Sequence, residues 1–194
     1  MVLGLEPAVT DATRLERARH DLQALCDNPD PLERHLTVAA ILTELLQGTG
    51  LRPVVVGGSA VEFYTAGLYM TADLDLVVSG LNATAEVLRD LGFVQSGALF
   101  RHADVPVVVD LPQEPLAGDP GRVVEVTING RRAYVIGIDD IILDRLAAYQ
   151  HGRDEASLEW AVQLMVAQWE RVDWSYVEEQ ARQQRIDRVV VSKA

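Results

Sequence analysis

Residues 57–78 constrain this chain more than any other stretch. They read Gly57-Gly58-Ser59 at the front and Asp73-Leu74-Asp75-Leu76-Val77-Val78 at the back, with a run suited to a helix between them. The apolar residues 53–56 just upstream suit a strand. Side chains alternate between faces along a strand, so Asp73 and Asp75 share one face while Leu74 and Leu76 share the other. Two carboxylates side by side repel each other, and a divalent cation between them relieves the repulsion. A Gly-Gly-Ser turn that opens a helix presents backbone N–H groups where a phosphate is held. One segment therefore sets a phosphate cradle beside a metal pair.

A third carboxylate extends the pattern. Val105-Pro106-Val107-Val108-Val109-Asp110-Leu111 is an apolar run ending in one acid, and such runs suit strands buried on both faces. If it lies beside the strand of Asp73 and Asp75, three carboxylates converge. Three acids can hold two magnesium ions, which clamp the attacking and leaving oxygens of a phosphoryl or nucleotidyl transfer. Carboxylates, water and substrate phosphates are the ligands magnesium prefers. A dinucleotide-binding reading shares the strand–glycine–helix outline but fails on detail. Residues 57–62 lack the three spaced glycines, and the acids open their strand where a ribose-binding acid would close it.

Composition narrows the function further. At 194 residues, 48% hydrophobic and 24% charged, the chain fits one domain with a real core. A net charge of −12 argues against nonspecific coating of nucleic acid. Lys193 is the only lysine, which argues against Schiff-base chemistry and leaves arginine to clamp any phosphate. The single cysteine, Cys26, has no second thiol for a disulfide or a zinc site. Residues 1–12 lack a basic run followed by a long apolar one, so no signal peptide is expected and the cytoplasm is the expected compartment. The longest apolar runs are too short to span a bilayer.

Along the chain, helices are expected over 8–28 and 31–47, the second amphipathic. A strand at 53–56, a helix at 59–65 and a strand at 74–78 follow. Next come a helix at 82–91 with Asn82 as N-cap, and strands near 98–102 and 105–111. After a loop at 112–121, Asn129-Gly130 predicts a two-residue hairpin between strands 123–128 and 131–136. Helices at 139–149, 154–170 and 174–184 close the chain, with a short strand or frayed end at 189–194. The expected division is N-terminal helices (1–50), a core (51–137) and a C-terminal helical region (138–194), together one compact unit. The class is α+β or mixed α/β.

Gly57-Gly58-Ser59-Ala60, then Thr71-Ala72-Asp73-Leu74-Asp75-Leu76, then Asp110 at a strand end resemble the DNA polymerase β-type nucleotidyltransferase superfamily. The nearest resemblance is to its minimal bacterial members, including the toxin-type enzymes of toxin–antitoxin and abortive-infection systems. It covers roughly residues 52–160. The resemblance implies an α+β fold: a nucleotidyltransferase-like mixed β-sheet flanked by helices, with a C-terminal helical region. It implies that Gly57, Gly58, Ser59 and Thr71 bind the nucleotide and that Asp73 and Asp75 bind both metals. Asp110 would bind the catalytic metal and help activate the acceptor hydroxyl. Asp139-Asp140-Ile141-Ile142-Leu143-Asp144-Arg145-Leu146, with Arg153-Asp154, is similar to a helical motif of the same group, in which Arg145 takes the place of a lysine and neutralises pyrophosphate. The implied activity is magnesium-dependent transfer of an NMP group from an NTP to a tRNA, a protein or a small molecule, with an antitoxin as a possible partner. A non-catalytic binding module on the same fold is the alternative.

Other residues read as structural. His20, His35, His102 and His151 show no metal-ligand spacing and are expected at the surface or in packing, with an approach of Arg101 and His102 to the site as the alternative, since they precede the Asp110 strand. Trp160, Trp169 and Trp174 are expected to pack helices together. Arg131-Arg132 is expected on a solvated hairpin edge, and Arg182, Arg185 and Arg188 on a solvated face.

Overall fold

A computed structural model describes residues 11–152 and 154–186. The chain opens with helices α1 (Asp11–Gln23) and α2 (Pro31–Leu45). Asp30 caps α2 by accepting the Glu33 N–H, and Pro31 occupies the first turn, where its missing N–H has no cost. The helix is buried without a break from His35 to Leu42. Its expected polar face is absent from these turns because α1 covers one side and the sheet the other.

Strand β1 (Val54–Val55) leads into α3 (Gly57–Tyr64), and the chain returns as β2 (Asp73–Val77). Helix α4 (Leu81–Asp90) precedes β3 (Val94–Ser96), β4 (Leu99–Arg101) and β5 (Val108–Asp110). Asn82 does not cap α4: Gly80 stands at that position, and its carbonyl accepts the Thr84 hydroxyl at 3.1 Å. The expected strand 105–111 pairs only over Val108–Asp110. Pro106 has no N–H to offer a ladder, and the Val107 N–H turns back on the Val105 carbonyl at 2.8 Å. The run is nonetheless buried at Val105, Val107, Val109 and Leu111.

A 3₁₀ turn (Pro120–Arg122) leads to the hairpin of β6 (Val124–Ile128) and β7 (Arg131–Val135). Asn129 and Gly130 both take positive φ, 50° and 76°, as the tight two-residue turn requires. The hairpin edge is not simply solvated. β7 lies inside the sheet, and Arg131 is largely buried against Asp21 and Glu44, while Arg132 reaches solvent beside Glu125.

The sheet order is β3-β4-β5-β2-β1-β7-β6. β2 and β5 are parallel, as are β1 and β7; the other neighbours are antiparallel. Helices α6 (Glu155–Ala167) and α7 (Trp174–Gln183) both pack on α5 (Ile138–Gly152), and α3 touches both this layer and the sheet. A polar cluster ties the start of α5 to its surroundings. Arg122 pairs with Asp139 at 2.6 Å and Asp173 at 2.9 Å, and Asp140 accepts from the Tyr176 hydroxyl and the Asp119 N–H. One apolar cluster runs from Ala18 to Ile186 through all of these layers. The architecture is α+β, with a mixed seven-stranded sheet flanked by helices. No described helix is long and apolar enough to cross a membrane. The expectations for residues 8–10, Arg153, Arg188 and 189–194 lie outside the described residues.

Candidate active site

The period-two alternation of β2 builds one wall of a cleft. Leu74 and Leu76 are fully buried on the core side, while Asp73, Asp75 and Val77 face the cleft. The parallel register with β5 sets Asp75 directly beside Asp110. All three carboxylates therefore line the same cavity of about 360 Å³.

On the other side of β2, β1 delivers the chain into the Gly57-Gly58 turn. Gly57 has φ +53°, and a Cβ there would meet Asp75 Oδ2 at 2.3 Å. Both the backbone conformation and the close approach demand glycine. The Gly58 N–H donates to Asp75 Oδ2 at 2.9 Å, and a Cβ on Gly58 would meet Thr71 Oγ1 at 3.0 Å. Ser59 sits differently from its expected role. It is fully buried and its hydroxyl donates to the Asp73 backbone carbonyl at 2.9 Å, so it ties α3 to β2 and does not line the cleft. Thr71 does line it and donates its hydroxyl to Asp73 Oδ1 at 3.0 Å.

Electrostatics mark the wall as short of positive charge. Burial, and then the charge of Asp73, push Asp75 up to about 6 against the stabilising Gly58 N–H. Burial and Asp73 likewise raise Asp110. Asp110 Oδ1 is buried without a hydrogen-bond partner, an arrangement that carries a desolvation penalty until something supplies a partner. The donor set is all carboxylate oxygen, so a hard divalent cation such as magnesium fits it. Among the described residues, no three Asp, Glu, His or Cys side chains close into a ready-made metal cage. Magnesium does not need one, because it keeps several waters and takes substrate phosphates as ligands.

The opposite wall comes from the helical layer. Arg145 on α5 lines the cleft, held by the adjacent Asp144 carboxylate at 2.5 Å and lying 5.8 Å from the centre of the Trp160 ring. Trp160 was expected to pack helices, yet it faces the cavity and meets Tyr69 with ring centroids 4.5 Å apart. Tyr69, Trp160 and Glu114 belong to the cleft without any local motif to announce them, while Asp144 enters it beside Arg145 from the helical run 139–146. Arg101 and His102 are not among its lining residues. The His102 ring packs on Phe93, and its Nδ1 accepts the N–H groups of Asp104 and Val105. Trp169 and Trp174 do pack on each other, with centroids 4.6 Å apart.

No protein-family model matches this sequence, and no curated protein does. Solved structures do. The chain is similar to ANT(2")-Ia, solved in complex with adenylyl-2"-tobramycin, with a TM-score of 0.50 and 17% identity over 74% of this chain and 92% of that one. The fold is the nucleotidyltransferase fold. An antigenic nucleotidyltransferase-like protein from Paracoccidioides brasiliensis also aligns, at 19% identity and a TM-score of 0.49, over 77% of this chain and 92% of that one. On the nucleotidyltransferase fold of this chain, the cleft lies where the central strands β1, β2 and β5 meet the C-terminal helices.

Proposed function

We propose that this protein is a magnesium-dependent nucleotidyltransferase that moves an NMP group from an NTP to an acceptor. The observation that carries the reading is the convergence of Asp73, Asp75 and Asp110 on adjacent strands beside the Gly57-Gly58 turn, with one Asp110 oxygen buried and unpartnered. Asp73, Asp75 and Asp110 would hold the cation, which when bound offsets the negative charge of the phosphates and carboxylates.

The residues of this chain do the rest. Backbone N–H groups at the start of α3, Gly58 among them, hold phosphate oxygens. Arg145 neutralises the departing pyrophosphate. Ser59 supports the site from behind by fixing the Asp73 backbone. The acceptor oxygen attacks the α-phosphorus, the bond to the pyrophosphate oxygen breaks, and the acceptor proton passes to Asp110. Trp160, Tyr69 and the segment 112–117 narrow the cleft and limit water.

A small-molecule acceptor has the most support, since ANT(2")-Ia was solved with an adenylylated one. Asp144 is paired with Arg145, but Glu114 adds an acid to the cleft beyond the three on the sheet, which suits an acceptor bearing positive charge. A tRNA or protein acceptor, and membership of the toxin-type group with an antitoxin partner, rest on the sequence resemblance. We take residues 51–137 as the catalytic core, between an N-terminal part (1–50), whose helices α1 and α2 pack on it, and a C-terminal helical region (138–194), whose helices α5 and α6 line the cleft. The single cysteine suits a reducing, cytoplasmic setting.

One observation favours a second reading, a non-catalytic binding module. The Gly58 N–H and Arg145 are both already engaged by carboxylates, Asp75 and Asp144. Incubation with α-phosphate-labelled nucleotides and cell extract separates the two. A magnesium-dependent labelled product supports the transferase, and its absence for every nucleotide supports the module.

A further inference from the structure

Glu62 and His35 form an unusual pair in the interior. Each is about 1% exposed. His35 Nδ1 and Glu62 Oε2 face each other at 3.7 Å, and neither atom has a hydrogen-bond partner. Burial raises the Glu62 carboxyl, and burial together with Arg34 holds His35 down to about 4. Apolar residues would fill this space at lower cost, so the carboxyl needs a reason to be there.

Its surroundings supply one. The Glu62 carbonyl accepts the Gly67 N–H at 3.0 Å, and the Glu62 carboxylate accepts the Thr71 N–H. A single residue of α3 thus pins both ends of the loop that joins α3 to β2. Within that loop the side chains divide: Leu68 and Met70 are exposed, while Tyr69 and Thr71 line the cleft. Thr71 continues the chain of contacts, because its hydroxyl donates to Asp73 Oδ1 at 3.0 Å.

We propose that Glu62 is a positioning residue of the cleft: it fixes Thr71, and Thr71 orients the Asp73 carboxylate. His35 closes the far side of Glu62 and keeps water from it. The proposal rests on the reading that Asp73 helps hold a divalent cation.

The test is a double-mutant cycle read by Mn²⁺ binding to the full chain, followed by electron paramagnetic resonance without nucleotide. Glu62→Leu removes the acceptor for the Thr71 N–H, and Thr71→Val removes the hydroxyl while keeping the side-chain shape. Each is expected to weaken Mn²⁺ binding roughly five- to tenfold, the worth of one hydrogen bond. The double variant should be no weaker than the worse single one, because both act through one path. Glu62→Gln, which keeps an acceptor oxygen, should restore binding to within about twofold of the unmodified protein. Additive losses, or unchanged binding in a Glu62→Leu protein that melts as a folded chain, overturn the proposal. If Glu62→Leu does not fold, unchanged binding in Thr71→Val overturns it instead. An unmodified protein that binds no Mn²⁺ overturns the metal reading of the cleft and this proposal with it.

Discussion

Asp75→Asn removes one charge from a wall that holds three carboxylates. The unfolded chain titrates this group at 3.8, whereas burial and Asp73 push it up to about 6 in the fold. The folded form binds the proton more tightly, so the stability linked to this group is full below the unfolded value and is lost as pH rises through about 6. The loss approaches about 3 kcal/mol at pH 8 without metal, at roughly 1.4 kcal/mol for each pH unit of difference. Asparagine carries no charge and keeps an oxygen to accept the Gly58 N–H. The variant should therefore recover about 3 kcal/mol at pH 8, or roughly 6–12 °C in melting temperature for a chain of this size. Its advantage should shrink as the pH is lowered toward 4, while nucleotidyl transfer is lost at every pH. Scanning calorimetry in a chelating buffer at several pH values measures the first effect, and labelled-nucleotide transfer the second. A variant that melts no higher than the unmodified protein at pH 8 refutes the electrostatic reasoning. Retained transfer refutes the role of the carboxylate.

Other perturbations report on neighbouring parts. Gly57→Ala should lower stability by about 2–3 kcal/mol, from its left-handed backbone and the displaced Asp75 carboxylate, and should abolish metal-dependent nucleotide binding; denaturant unfolding and calorimetry check both. Arg145→Ala should weaken NTP binding roughly tenfold or more while leaving NMP binding within about twofold, since its proposed partner is pyrophosphate; equal losses for both nucleotides would contradict that role. His35 is depressed from 6.5 to about 4 in the fold, so its contribution is present above pH 6.5 and is lost as pH falls toward 4, by about 3 kcal/mol. Urea midpoints measured from pH 7 to pH 4 should show that slope, and His35→Leu should flatten it.

How much of this was legible in the sequence depends on how local each signal is. The alternation around Asp73 and Asp75 is a property of one strand, and Leu74 and Leu76 are buried on the opposite face as that period requires. The Asn129-Gly130 hairpin is equally local. The expected strand 105–111 shrank because Pro106 removes a ladder donor, although its alternate residues remain buried. Ser59 reads as a phosphate contact in a Gly-Gly-Ser turn, but the first turn of α3 rotates its hydroxyl toward the Asp73 carbonyl. Tyr69 and Trp160 lie 91 positions apart and meet only when α6 packs beside the α3–β2 loop. The same holds for Arg131, which a polar hairpin pattern places in solvent, but which α1 and α2 cover and pair with Asp21 and Glu44. Long-range packing, with no periodic trace in the chain, produced the differences at Tyr69, Trp160 and Arg131.

The central claim is that three carboxylates and the start of α3 bind a metal–nucleotide complex. Calorimetric titration of each NTP into the protein, with magnesium and with EDTA, tests it most directly. The expected result is binding of at least one NTP that requires magnesium and disappears in Asp75→Asn. Nucleotide binding that is equal with and without magnesium, or that survives Asp75→Asn unchanged, would contradict the claim.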